Sequence, residues 1–165
     1  MEETSGNRYD TRSLSAARDR RGGTGLDGPQ PDHDQGVTDD TDGHYGLIVS
    51  EAPRGSAPPM HIHHRTDEAI WIIEGRLRLV CGESDVVIGA GAFTLLPRGV
   101  PHTFLALEDT KMLGIMSPGG TEGYYFEGGV PKTSDTPPPV DVARMVEAGS
   151  RFDVEVTGEP LAGEE

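Results

Sequence analysis

The sequence predicts an all-β domain, a sandwich or barrel of many short strands. Short apolar runs of four to six residues recur from about residue 44 to residue 117. Turn-forming residues punctuate them, drawn from 23 glycines and 13 prolines in a chain of 165. The run "RLRLV" alternates strictly, with Leu77 and Leu79 on one face and Arg76 and Arg78 on the other. Strands spaced this closely, with no helical pattern between them, favour a sandwich or barrel over a parallel α/β sheet.

The elements follow in order. Residues 1–43 are rich in Gly, Asp, Arg, Ser and Thr and nearly lack large apolar side chains. Such a segment buries too little surface to offset its ordering entropy, so a disordered acidic tail is expected. His33 lies within it and His44 at its border, and both are expected in solvent. Order is expected from "HYGLIVSEA" onward, through "AIWII", "RLRLV", "DVVI", "AFTLL", "TFLAL" and "KMLGIM", giving a barrel domain over 44–130. A C-terminal extension follows over 131–165, beginning in the loop "GGVPKTSDTPPP". Within it "VDVARMVEAG" spaces Val142, Met145 and Val146 along one helical face, and Gly149 suits the end of a short helix. The last residues, "TGEPLAGEE", are expected to fray.

Composition excludes several classes of partner. The formal net charge is −14, from 28 acidic against 14 basic residues, which repels nucleic acid and anionic membrane surfaces. No stretch approaches the ~18 consecutive apolar residues of a membrane span. The start, "MEETSGNRYD", has neither the basic flank nor the apolar run of a secretory signal, so a cytoplasmic location is expected. Cys81 is the sole cysteine, which leaves no internal disulfide and is expected to be a small buried residue.

The stretch "GSAPPMHIHHRTDEAIWIIEG", residues 55–75, holds three of the six histidines. On a strand His61 and His63 point to one face, and two adjacent imidazoles make a good pair of metal ligands. Glu68 opens the next strand and returns a carboxylate beside them, while His64 has the wrong parity. His102, after the turn "PRGVP", is the natural fourth donor. Three imidazoles and one carboxylate on a six-coordinate ion leave two positions for water, substrate or O2.

At these residues the sequence resembles the cupins. Their first motif, G-x5-H-x-H-x4-E-x6-G, is matched by Gly55, His61, His63, Glu68 and Gly75. Their second, G-x5-P-x-G-x2-H-x3-N, is matched by Gly91, Pro97, Gly99 and His102, with Ala106 in place of the final Asn. The resemblance covers about residues 44–130 and implies a double-stranded β-helix, or jelly roll, holding a metal on His61, His63, Glu68 and His102. Alternation then lines the barrel with Ile70, Ile72, Phe93, Leu95, Phe104 and Ala106, and Trp71 faces away. This lining has no cation to pair an anionic substrate, so an apolar or aromatic one fits better.

"PPMHIHHRTDEAIWIIEGRL" and "SPGGTEGYYFEGG" look like the single-domain quercetinase-like flavonol dioxygenases. The resemblance implies an oxygenase of a small aromatic or polyphenolic compound that consumes O2, with Glu68 as general base. Tyr124, Tyr125 and Phe126 are then expected on a loop near the pocket mouth, or packed beneath that loop. One divalent transition metal is expected: Fe, Mn or Ni for redox chemistry, with Co, Cu and Zn also acceptable to such donors. A non-oxidative cyclase or isomerase of natural products, or a binding module without chemistry, would use the same donors. A homodimer is expected, with Val49, Trp71 and Ile73 on outward faces.

Overall fold

A computed structural model of the protein describes residues 38–129 and 140–163. The expected tail up to residue 37, His33 included, and the expected loop across 130–139 lie outside them. Among the described residues nine strands and two helices follow in order. They are β1 (Gly46–Ala52), β2 (Pro59–His63), β3 (Asp67–Glu74), β4 (Arg76–Cys81), β5 (Ser84–Gly89), β6 (Phe93–Leu96), β7 (His102–Ala106) and β8 (Thr110–Ser117). Helices α1 (Glu122–Gly128) and α2 (Val142–Gly149) and a last strand, β9 (Val154–Pro160), complete the set. No helix among them is long and apolar enough to cross a membrane.

The strands make two antiparallel sheets, one in the order β1-β8-β3-β6 and the other β5-β4-β7-β2-β9. Neighbours distant in sequence and two facing sheets make this the double-stranded β-helix that the motifs implied. The core lies between the sheets. Ile70, Ile72, Leu96 and Met112 meet Leu77, Leu79 and Ala106 across it, with Phe104 packed at the edge. Alternation is the cause: Leu77 and Leu79 are buried, while Arg78 on the other face of β4 pairs with Asp85 at 2.8 Å. Burying a side chain such as Ile72 stabilises the fold by roughly 1.5–3 kcal/mol.

Turns fix the register. The motif residues Gly55, Gly75, Gly91 and Gly99 all have positive φ. Gly75, at φ 84°, also leaves no room for a Cβ, which would collide with the Asp109 carbonyl.

The structure corrects several expectations. Phe93 and Leu95 point outward and are 60% and 55% exposed. The β3–β6 register pairs Glu68 with Leu96 and Ile70 with Thr94, so the even positions of β6 face the core. Counting back from Pro97 selects the odd ones, because that proline is itself exposed and outside the strand. The end of the chain is not frayed throughout: Val154–Pro160 is β9, hydrogen-bonded to β2. The expected tail is ordered over its last residues, where Thr38–Thr41 forms a 3-10 turn and Thr38 N–H donates to Glu122 at 2.8 Å. The segment around "EGYYFEG", read as a loop, is helix α1. The expected C-terminal helix is α2, started by Asp141, whose carboxylate accepts from the Arg144 N–H at 3.1 Å.

The corrected parity has a measurable consequence. Ile72→Ala should cost about 2–5 kcal/mol in urea unfolding, as for a fully buried side chain, whereas Leu95→Thr should fall within about 0.5 kcal/mol. Similar losses at the two positions would contradict the register described.

Candidate metal centre

Four donors converge from both sheets. His61 and His63 lie two apart on β2 and face inward together. His102, on the neighbouring strand β7, stands directly opposite His61 in register. Glu68 comes across the sandwich from β3, beside Leu96 and Met116. One ligand atom from each lies within 4.8 Å of every other, and the residues are between 1% and 5% exposed.

Two backbone carbonyls orient the rings. His61 Nδ1 lies 2.8 Å from the Pro59 carbonyl and His102 Nδ1 lies 2.9 Å from that of Val100. A carbonyl only accepts, so each Nδ1 carries a proton and donates it, and in the neutral ring Nε2 is then the nitrogen with the lone pair. Both Nε2 atoms are buried without a hydrogen-bond partner. Buried polar atoms are nearly always paired, so acceptors aimed into one dry space fit a cation. Glu68 Oε2 stands 3.7 Å from His63 Nε2 and 3.6 Å from His102 Nε2.

The electrostatics match that donor set. Burial, then the charges His102 and His63 would carry, lowers the His61 pKa to about 3. Burial also lowers His63, to about 4 against the pull of Glu68. For Glu68 burial favours the neutral acid, but the contacts with His102, His63 and His61 outweigh it and bring the carboxyl to about 2. Neutral imidazoles and an ionised carboxylate are the protonation states a metal requires.

The other expected site residues divide. Ile70, Ile72 and Ala106 are buried in the core and Phe104 is half-buried against it, while Phe93 and Leu95 are on the outer surface. No Lys or Arg is among the buried described residues. His64 faces out, 2.9 Å from Glu155, as its parity predicts, and Asp67 turns away to Arg98 at 2.6 Å.

The roof of the site is formed by α1, where the sequence placed Tyr124, Tyr125 and Phe126 on a loop near the pocket mouth without foreseeing a contact with Glu68. Tyr125 donates its hydroxyl to Glu68 Oε2 at 2.9 Å and stands 3.4 Å from His63 Nε2. Its neighbour Tyr124 is fully buried, its ring 5.6 Å from that of His61, and its hydroxyl has no partner. Burial and Glu68 both hold these phenols protonated, well above the ordinary tyrosine range. The pair "YY" was visible, but nothing local ties it to a carboxylate 57 residues earlier.

Residues 47–117, which span the strands bearing all four donors, match the family model described as Cupin domain. This segment is a cupin domain. The domain is similar to quercetin 2,3-dioxygenase of Bacillus subtilis (strain 168), 28% identical over 92 residues. It is also similar to quercetin 2,3-dioxygenase of Aspergillus japonicus, 30% identical over 103 residues. Those matches cover 55% and 58% of this chain but only 27% and 29% of the relatives, so the chain spans little more than a quarter of their length. Among solved structures it is similar to KdgF from Halomonas sp., at 20% identity, covering 48% of this chain and 75% of that one with a TM-score of 0.47. It is likewise similar to oxalate decarboxylase of Bacillus subtilis, at 18% identity, covering 52% and 24% with a TM-score of 0.48.

The lowered imidazole pKa values set a pH dependence for the metal-free cupin domain. Unfolded imidazoles take up protons below the ordinary value of 6.5, which folded His61 and His63 refuse until about 3 and 4. Stability should therefore decline as pH falls from 6.5 towards 4. The contribution of Glu68 is present above 4.5 and lost only as pH falls towards 2. Urea midpoints between pH 7 and pH 4 test this, and His61→Gln should flatten the decline.

Proposed function

We propose that this chain is a metal-dependent cupin oxygenase of a small aromatic or polyphenolic compound, with the ion held by His61, His63, Glu68 and His102. The observation that carries the metal is the pair of buried, unpartnered Nε2 atoms aimed at an ionised carboxylate. Bound there, a redox-active ion such as Fe, Mn or Ni would supply the O2 chemistry and polarise a substrate oxygen.

The chain's own residues set the rest. Ile70, Ile72, Phe104 and Ala106 belong to the apolar core between the sheets that also hold the donors, and an apolar lining of this kind suits an aromatic substrate better than a charged one. The lack of a buried Lys or Arg among the described residues speaks against a carboxylate or phosphate substrate. Glu68 is the group assigned to take the substrate's hydroxyl proton, being ionised, buried and already an acceptor for one phenol, that of Tyr125. The two quercetin 2,3-dioxygenases similar to the domain support the substrate class.

Elemental analysis of the purified protein, then an oxygen-electrode assay with flavonols, tests the reading. One transition-metal ion per chain and O2 uptake with a phenolic substrate are expected, with His63→Ala losing the ion. Glu68→Gln should reduce kcat roughly 100-fold or more, the usual scale of general-base loss. Turnover without O2 uptake would instead assign the ion a Lewis-acid role in an isomerase or cyclase.

A second copy of the chain is the proposed partner of the outer face of the β1-β8-β3-β6 sheet. Trp71 and Phe93 stand opposite one another there, flanked by Ile73 and Leu95, all at least 41% exposed. The charges on this face lie at its two ends, Glu51, Lys111 and Glu74 in register at one and Asp67 paired with Arg98 at the other, leaving an uncharged centre. Two chains of charge −14 repel elsewhere, so an apolar patch pairing with its own copy is the favoured contact. Light scattering should give a dimer that Trp71→Lys converts to monomer. A monomeric parent protein would refute it.

A further inference from the structure

Tyr125, on α1, brings a phenol oxygen against two of the four donors. Its hydroxyl oxygen lies 2.9 Å from Glu68 Oε2 and 3.4 Å from His63 Nε2. Those separations are shorter than the 3.7 Å and 3.6 Å between Glu68 Oε2 and the nitrogens of His63 and His102. Donors about 2.1 Å from one ion and at right angles to each other lie about 3 Å apart. The phenol oxygen therefore stands at the spacing of a neighbouring ligand.

Resting on the metal-centre reading above, we propose that Tyr125 is a fifth ligand, its phenol oxygen completing a three-nitrogen, two-oxygen set. As a ligand the Tyr125 oxygen would give its proton to solvent, as other ligand groups do. The helix holds the residue in place. The Glu122 carboxylate accepts from the Thr38 and Gly120 N–H groups, both at 2.8 Å, and from the Thr38 hydroxyl. Tyr124 is fully buried in a cluster with Met145, Ala148 and Val154, which ties α1 to α2 and β9. Tyr125 is thus fixed over the donors by packing on both sides.

The consequence for the proposed reaction is specific. Five protein ligands would leave a six-coordinate ion one exchangeable position, so a substrate would bind through one oxygen and not as a chelate. An adjacent diol would then bind no more tightly than the single enol or phenol oxygen that reaches the ion.

The test uses the full chain loaded with ferric iron. A phenolate bound to ferric iron gives a visible charge-transfer absorption, and resonance Raman excitation in that band enhances the phenolate ring modes. Wild type should show both, Tyr125→Phe should lose both, and Tyr124→Phe should retain them. Competition with a chromophoric chelator should show zinc bound roughly tenfold or more weakly by Tyr125→Phe. Stoichiometric ferric iron without the band or ring modes in wild type would overturn the fifth ligand while leaving the metal centre standing. A band unchanged in Tyr125→Phe would do the same. A wild-type chain that binds neither iron nor zinc would overturn the metal centre, and the fifth ligand with it. The Raman measurement needs no variant, so the outcome does not depend on Tyr125→Phe folding.

Discussion

Holding neutral imidazoles and an ionised carboxylate in a dry interior is the constraint on which the rest of the domain depends. An isolated buried carboxylate is costly, and a buried imidazole nitrogen without a partner is unfavourable. Here the carbonyls of Pro59 and Val100 each fix one ring's proton on the outer nitrogen, and the inner nitrogens crowd around Glu68. The arrangement needs strands from both sheets, because the carboxylate comes from β3 and the imidazoles from β2 and β7. Core packing around Ile72 and Leu77 is what keeps the two sheets at the right separation.

Much of this was legible in the sequence, for a physical reason. Strand alternation has a period of two, so His61 and His63 had to share a face, and the spacing of glycines around them marked turns. The short apolar runs gave the strands, since each run matches one half-buried strand and each break a turn. Where the reading failed, the information was not local. The parity of Phe93 and Leu95 is set by β6 pairing with β3, and an exposed Pro97 was the wrong anchor for counting. Helix α1 is seven residues long, with glycine at both ends of "GYYFEG", and local propensity gives little sign of it. It forms because Tyr124 is buried by α2 and β9, elements that lie later in the chain.

The roof and the floor of the site therefore have different origins. The floor is sheet, rigid and written in the alternation of β2, β3 and β7. The roof is a short helix kept in position by tertiary contacts at both ends, Thr38 on one side and Met145 on the other. Chemistry that needs a precise phenol above a precise carboxylate is then sensitive to residues far from either, a familiar property of sites supported by packing.

Strand β9 gives this arrangement a direction in time. It lies along β2, with Val156 beside His61 and Val154 beside His63, and it follows every other strand described. A polypeptide emerging from the ribosome makes both histidines long before it makes the strand that shields their backbone from water. Until β9 is synthesised, β2 is an open border of its sheet, with hydrogen-bonding groups available to any passing chain. Closing the sheet around the two histidines is in this sense a late event of biosynthesis, since β9 joins β2 only after seven other strands and two helices have been made.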